Sequence, residues 1–217
     1  MALVGLKRVE ERIRSACDHA GRSADEVDLV VVSKTQPDAA VLDIYRQGQR
    51  IFAENREQGL KARIASDLPA DIEWHFVGPL QSRKANFVGS NVALLHSMDR
   101  QGLAEKWATR STAPVLLQFN LAAEPQKSGF DPSQADRVID DVLGLGVRVA
   151  GVMAIPPMAD DPEDVRQWFV KLRALFDRYA STYDDITVCS MGMSHDLEVA
   201  IEEGATMVRV GRAIFAG

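Results

Sequence analysis

The chain has 217 residues, of which 46% are hydrophobic and 26% are charged, and its formal net charge is −6. This composition indicates a globular protein with a sizeable core, and the acidic charge without any basic cluster argues against nucleic acid as a partner. No apolar run approaches the roughly 18 residues that span a bilayer, and the N-terminus lacks the pattern of a signal peptide, so we expect a cytoplasmic protein without a membrane segment. Cys17 and Cys189 are far apart in sequence and predict no disulfide framework.

The first predicted element is an amphipathic helix over residues 3–20, which Gly21 ends. Its apolar stripe comprises Leu3, Leu6, Val9, Ile13, Ala16 and Ala20. Short apolar runs then alternate with helical patterns. Strands are predicted at 29–32, 50–53, 73–77, 92–95, 114–119, 148–153, 186–189 and 206–210. Helices are predicted at 37–48, 57–65, 82–87, 100–109, 131–143, 161–179 and 196–203.

Eight strands that alternate with helices after one extra helix predict an α/β fold, a (β/α)8 barrel in a single domain over residues 1–217. Strand onsets are about 20 to 35 residues apart, which is the spacing of βα units. The strands are short and almost continuously apolar, as strands covered on both faces are. A doubly wound open sheet is the alternative arrangement of the same elements.

Functional residues are expected at the carboxyl ends of the strands, because the loops there build the active face of such a barrel. The residues of interest at these ends are Lys34 after the first strand, Asn55 after the second, Met191, Gly192 and Ser194 after the seventh, and Arg209, Gly211 and Arg212 at the eighth.

The loop after the seventh strand has the features of an anion site. Its sequence, Ser-Met-Gly-Met-Ser at 190–194, offers a glycine, hydroxyls and free backbone N–H groups just before a helix, where the helix dipole is positive. Gly211 brings the backbone of a second loop towards the same point. An ordinary turn capped by Ser194 is the alternative for this loop alone. Because barrels often hold phosphate after their last two strands, we interpret the loop as a phosphate site.

Lys34 stands where an apolar strand ends, and most lysines in that position are simply solvated. Beside a barrel core we expect it to be partly desolvated and close to Arg209, and both effects lower the pKa of an amine. A neutral amine attacks carbonyl carbon and forms a Schiff base. A phosphate site opposite such an amine indicates either pyridoxal 5′-phosphate or a phosphorylated sugar aldehyde or ketone.

The histidines show no spacing typical of metal ligands and no cysteine pair joins them, so no metal site is predicted. We interpret the four as packing, capping or surface residues: His19, His75, His96 and His195. The chain contains no P-loop, G-x-S-x-G or dinucleotide fingerprint.

Six segments of the chain resemble one known family. They are VVVSKTQP, FAENREQ, WHFVGPLQSRK, KSGF, VMAIPP and SMGMSHDLEVAIEEGATMVRVGRAIF, and they occur in this order over most of the chain. The sequence is therefore similar to the pyridoxal phosphate homeostasis proteins (the YggS/PROSC-like family), whose fold is that of the barrel domain of bacterial alanine racemase.

The resemblance implies a fold type III barrel that binds pyridoxal 5′-phosphate as a Schiff base on Lys34. It places other residues around the cofactor: Ser194 and the backbone of Gly211 and Arg212 at the phosphate, Arg209 at the pyridine nitrogen, and Asn55 beside the ring. A guanidinium only donates hydrogen bonds, so Arg209 keeps that nitrogen unprotonated and disfavours carbanion chemistry. Arg212 stands where the family usually has threonine or serine; the change removes a hydroxyl but keeps the backbone donors.

Racemisation needs an acid and a base on opposite faces of the substrate, which alanine racemase supplies with a second domain and a partner's tyrosine. The three tyrosines here, Tyr45, Tyr179 and Tyr183, lie in or beside predicted helices, far from the strand ends. We therefore predict a non-catalytic cofactor carrier. The resemblance implies a role in vitamin B6 balance, apo pyridoxal-phosphate enzymes as partners, and a monomer. The alternatives are a small amino-acid racemase and a Schiff-base aldolase acting on a phosphorylated sugar.

Overall fold

The predicted strands close into a barrel in which each strand is parallel to its neighbours. In the computed structural model, which describes residues 2–215, the strands follow one another around the barrel in sequence order. The last strand pairs with the first, with Val30 level with Arg209, which confirms the barrel and excludes the open sheet. Met1, Ala216 and Gly217 of the predicted domain lie outside the described residues, as does the Leu3 side chain of the predicted apolar stripe.

Each strand is short, and a helical segment precedes or follows it. The strands are β1 (Asp28–Val32), β2 (Ile51–Glu54), β3 (Glu73–Phe76), β4 (Leu94–Met98), β5 (Val115–Phe119), β6 (Val149–Ala154), β7 (Val188–Ser190) and β8 (Met207–Val210). The helices are α1 (Ala2–His19), α2 (Asp38–Tyr45), α3 (Glu57–Ile64), α4 (Ala85–Gly89), α5 (Gln101–Ala108), α6 (Ala135–Gly144), α7 (Arg166–Ala180), α8 (Leu197–Glu202) and α9 (Arg212–Phe215). Short 3₁₀ turns cover Ala24–Glu26, Ser82–Lys84, Pro132–Gln134 and Pro162–Val165. Among the helices of residues 2–215, none is both long and apolar enough to cross a membrane.

Two separate hydrophobic clusters cover the two faces of the barrel wall. The larger lies between the strands and the helices and contains the fully buried Phe52, Trp107 and Phe169. The smaller fills the barrel and contains Val30, Ala53, Leu94, Leu116, Met153 and Met207. Because successive side chains of a strand alternate between its faces, the residue two positions after an inward apolar residue also faces inward.

The starts of α6 and α7 follow from local sequence. Asp131 accepts a hydrogen bond from the N–H of Ser133, and Asp161 accepts one from the N–H of Glu163. In each case a proline occupies the first position, where its missing N–H costs nothing. Both predicted helices therefore begin as expected, each with a short 3₁₀ turn.

Four strands end after their predicted last residue: β2 and β6 by one residue each, and β4 and β7 through polar positions. β4 covers Leu94–Met98 rather than 92–95, and β7 ends at Ser190 rather than at 189. The extensions of β4 and β7 contain His96, Ser97 and Ser190, which pattern reading assigns to loops because they are polar, although all three are buried. α9 and the 3₁₀ turn Ala24–Glu26 were not predicted, since segments this short contain too few residues to show a period.

Candidate functional site

Lys34 lies in a tight turn directly after β1. The N–H of Gln36 donates to the carbonyl oxygen of Ser33 at 3.0 Å, and Thr35 inside the turn has a φ of 65°. Lys34 is exposed, so the expectation that the barrel wall partly desolvates it is wrong. The reason is the turn, which carries Lys34 past Val32, the last residue of the strand, towards the rim of the barrel.

Lys34 and Arg209 lie at different depths of the barrel. Arg209 is level with Val30, four residues before Lys34 in the chain, so its backbone lies deeper in the barrel than the turn that carries Lys34. That Arg209 is a close cationic neighbour of Lys34 stays a prediction. A ligand at this end of the barrel would meet the amine at the rim and the guanidinium further inside. Asn55, directly after the neighbouring β2, is partly buried at the same rim.

Arg209 is a buried cation inside the barrel, where the residue is only 5% exposed. Its Nη1 donates to Ser190 Oγ at 2.6 Å and its Nη2 donates to the carbonyl oxygen of Ala154 at 3.2 Å. Burial lowers the pKa of Arg209 to about 10, so the guanidinium is still charged at neutral pH. Both acceptors are uncharged, and a ligand that offers another acceptor would therefore suit the remaining N–H groups.

Two buried histidines continue the hydrogen-bonded chain that starts at Arg209. His96 Nδ1 is 3.2 Å from Ser190 Oγ, and His96 Nε2 is 3.0 Å from His75 Nδ1. Burial lowers the pKa of His75 to about 4 and holds the pKa of His96 well below its usual range, so both rings are neutral at pH 7. The interpretation as packing residues is right for both, but it missed this chain. The signal was the position of His96, two residues after the inward-facing Leu94.

The loop between β7 and α8 lies beside β8. Gly192 has a φ of 90°, which favours glycine, and its carbonyl oxygen accepts a hydrogen bond from the N–H of Arg209 at 3.0 Å. Ser194 Oγ accepts one from the N–H of Ala213 at 3.4 Å, which joins the loop to α9. The Met191 side chain is fully buried in the outer cluster, so only its backbone is available to a ligand.

Gly211 follows β8, and Arg212 is the first residue of α9. Within residues 2–215, their backbone N–H groups donate to no carbonyl or side-chain oxygen. A Cβ on Gly211 would lie 2.9 Å from the carbonyl oxygen of Val32, so glycine allows this segment to approach the end of β1 closely. Backbone N–H groups without a protein acceptor, together with the Ser194 hydroxyl on the adjoining loop, suit an anion. The Arg212 side chain is exposed.

Other lysines near the strand ends are engaged with protein acceptors. Lys84 Nζ is 2.9 Å from Glu57 Oε2, and Lys127 Nζ donates to the carbonyl oxygen of Pro156 at 2.8 Å. Lys34 Nζ makes no ion pair or hydrogen bond in the part of the chain that the structure describes. Its amine is therefore available to a ligand.

Comparison with known proteins gives a consistent group of relatives. Residues 4–217 match the family of the alanine racemase N-terminal domain. A pyridoxal phosphate homeostasis protein from Aquifex aeolicus (strain VF5) is 41% identical over 97% of this chain and 95% of its own length. One from Escherichia coli (strain K12) is 38% identical over 97% and 94%. The solved structure of PipY from Synechococcus elongatus PCC7942 with pyridoxal phosphate bound has a TM-score of 0.81 and 32% identity, over 95% of this chain and 99% of that one.

Proposed function

The chain belongs to the alanine racemase N-terminal domain family and, within it, to the pyridoxal phosphate homeostasis proteins, and from this premise we propose that it holds pyridoxal 5′-phosphate covalently on Lys34. The observation that carries the proposal is the presence of three complementary groups at one end of the barrel. They are the unpaired amine at the rim, the buried guanidinium of Arg209, and the anion-binding donors after β8. When bound, the cofactor supplies an aldehyde carbon with which the lysine amine condenses, releasing one water.

Arg209 is suited to the pyridine nitrogen. Ser190 and Ala154 accept from two of its nitrogen atoms, and a guanidinium has five N–H donors and no acceptor. A partner that only donates keeps the pyridine nitrogen in its unprotonated form. Because an unprotonated ring withdraws electrons weakly, Arg209 favours holding the cofactor over stabilising a carbanion.

The cofactor would also bring a phosphate, and we assign that group to the segments after β7 and β8. The Ser194 hydroxyl and the backbone N–H groups of Gly211 and Arg212 are the proposed donors. Gly192 and the Met191 backbone shape the loop, and Asn55 borders the ring from β2. The missing hydroxyl at position 212 is compatible with this assignment, because the backbone donors are independent of the side chain.

We propose that the protein does not catalyse racemisation. Support comes from the tyrosines, because each is engaged on the outside of the barrel rather than at its mouth. The hydroxyl groups donate to aspartates: Tyr45 to Asp71 at 2.6 Å, Tyr179 to Asp136 at 2.9 Å, and Tyr183 to Asp140 at 3.2 Å. None of them is placed to exchange a proton at the cofactor site.

Borohydride trapping followed by peptide mass mapping tests the covalent site. We expect a yellow protein whose visible band is lost in Lys34→Ala, and a reduced label on the peptide that contains Lys34. Lys84→Ala is the matched control, since Lys84 is paired with Glu57, and it keeps both the band and the label. A label absent from the Lys34 peptide, or spread equally over several lysines, contradicts the proposal.

Assays of turnover separate the carrier from its alternatives. We expect no interconversion of alanine or serine enantiomers by the loaded protein. Measurable racemisation that disappears in Lys34→Ala would show that the protein is a racemase rather than a carrier. A colourless protein that cleaves a phosphorylated sugar would show that it is an aldolase.

We further propose that this single-domain protein acts as a monomer and passes its cofactor to apo enzymes. The exposed position of Lys34 at the rim supports transfer, because an incoming amine can reach it. Loaded protein mixed with an apo pyridoxal-phosphate enzyme should restore that enzyme's activity faster than the loaded protein releases free cofactor when it is simply diluted. A stable dimer in light scattering would contradict the proposal that the protein is a monomer.

A further inference from the structure

Arg63 of α3 reaches beneath the turn that carries Lys34. The residue is 8% exposed, and its Nη2 donates to two carbonyl oxygens, that of Ser33 at 3.1 Å and that of Gln36 at 2.6 Å. These are the first and last residues of the turn. One guanidinium nitrogen therefore holds both ends of the four-residue segment that contains Lys34.

Two carboxylates fix the orientation of this guanidinium. Arg63 Nε donates to Glu54 Oε1 at 3.1 Å, and Nη1 is paired with Asp38. Ser33 Oγ also donates to Glu54 Oε1, at 3.0 Å, so the turn and the arginine share one acceptor. Glu54 is 3% exposed and Ser33 is fully buried. These acceptors lie in several directions, and the planar guanidinium has N–H groups that reach all of them, like the prongs of a fork. A lysine ammonium has no such planar set of donors.

The turn contains a strained residue. Thr35 has a φ of 65°, in the left-handed region that β-branched residues rarely adopt. Strain of this kind persists when surrounding contacts over-determine the conformation, and it is frequent at functional sites. The Thr35 hydroxyl donates to the carbonyl oxygen of Lys34, its own neighbour, at 2.6 Å. The contacts of Arg63 at Ser33 and Gln36 act together with the Gln36 N–H to Ser33 hydrogen bond to hold Thr35 in this conformation.

We propose that Arg63 is a positioning residue for Lys34: it keeps the strained turn closed, so that the amine is presented to the aldehyde in a competent orientation. This inference rests on the proposed function of Lys34. Without the fork, Thr35 relaxes to negative φ and the backbone of Lys34 moves. The fraction of molecules ready to bond the cofactor then falls, and the observed bonding rate falls in proportion.

The test measures the rate of covalent loading in stopped-flow mixing of stripped protein with pyridoxal 5′-phosphate, followed by the visible band. Arg63→Lys should slow loading by about tenfold, because the strained turn is no longer restrained and only a fraction of the molecules keeps it closed. Arg173→Lys is the control. Arg173 also donates hydrogen bonds to a carboxylate, that of Asp177, and to a carbonyl oxygen, that of Gly204, but it does so at the opposite end of the barrel. The Arg173→Lys variant should load at the wild-type rate.

Thr35→Gly tests whether Arg63 acts on loading through the strained turn. If Arg63 had a purely structural role, Thr35→Gly would not restore the loading rate. Glycine adopts positive φ without cost, so the turn no longer needs the arginine. In the Arg63→Lys background, Thr35→Gly should bring the loading rate back to within about threefold of wild type. A double variant that loads as slowly as Arg63→Lys overturns the proposal, as does a single Arg63→Lys variant that loads normally.

A second variant covers the case in which Arg63→Lys fails to fold. Replacing both buried charges, in Arg63→Met with Glu54→Met, leaves no charge without a partner inside and is expected to fold. This variant should also load slowly, and wild-type loading by it contradicts the positioning role. If wild-type protein itself carries no label on Lys34, the proposed function fails, which is a result distinct from any difference among the Arg63 variants.

Discussion

The Nδ1 atom of His75 lies 3.0 Å from the Nε2 atom of His96, and both imidazoles are buried inside the barrel with their rings 5.1 Å apart. Since both rings are neutral, one nitrogen of this contact donates and the other accepts. The contact links β3 to β4, and through Ser190 it continues to Arg209 of β8. A hydrogen-bonded chain of neutral groups thus leads up to the guanidinium that we assign to the cofactor.

This histidine pair predicts a loss of stability in mild acid. The pKa of His75 is about 4 in the folded protein and near 6.5 in an unfolded chain, so between these values the unfolded state binds more protons. Stability from His75 is fully present above about pH 6.5 and is lost as the pH falls to about 4, by roughly 3 kcal/mol. Urea unfolding at several pH values should show a shallower decline for His75→Asn than for wild type.

The control for that experiment is His19→Asn on the exposed surface of α1. Its pH profile should run parallel to that of wild type. Carboxylates also titrate in this range, so the informative quantity is the difference between each variant and wild type. A wild-type profile parallel to that of His75→Asn would contradict burial of a neutral His75.

Arg209→Met should separate stability from binding. Within residues 2–215 the buried guanidinium donates to uncharged acceptors and forms no salt bridge, and burying such a charge costs free energy. We expect the cofactor-free variant to unfold at the same or a higher urea concentration than wild type, whereas its affinity for pyridoxal 5′-phosphate drops by tenfold or more, as about 1.4 kcal/mol of lost interaction implies. Titration followed by the visible band measures the affinity. Unchanged affinity would remove Arg209 from the site.

Gly192→Ala tests the loop after β7. Its φ of 90° is unfavourable for alanine, and the new Cβ would lie 2.6 Å from the Cβ of Ala200. We expect a loss of about 3 kcal/mol in the free energy of unfolding. Gly21→Ala is matched in φ, at 66°, but has nothing within 4 Å of the added carbon, so it should lose only about 1 kcal/mol. Equal losses in the two variants would show that the close approach to α8 does not matter.

Arg12→Ala tests how the Ser194 loop is held. Arg12 of α1 binds both carboxylate oxygens of Glu198, at 2.5 and 2.8 Å, and donates to the Ser194 carbonyl oxygen at 3.0 Å. Without it the loop is less ordered before the phosphate arrives, so affinity for pyridoxal 5′-phosphate should fall by about threefold to tenfold. Arg14→Ala, at an exposed position of the same helix, should bind as wild type does. Equal affinities for both variants would contradict a role of α1 in ordering the loop.

The barrel could be predicted from the sequence because the patterns that indicate its strands and helices are local. Alternating apolar runs and amphipathic segments give the strands and helices in order, and Asp-Pro pairs give the starts of α6 and α7. Predicted and observed bounds differ mainly at β4 and β7. There the strand continues through polar residues, His96 and Ser190, whose burial depends on partners in other strands.

The sequence alone determined the fold class, the family and the choice of Lys34, since these depend on motifs and on spacing along the chain. Only the tertiary structure decided what surrounds that lysine. Arg63 meets Ser33 across 30 positions, and His96 meets Ser190 across 94 positions. Such contacts form where the closed barrel brings distant segments together, and the energetics of a buried polar group depend on those neighbours rather than on its residue type.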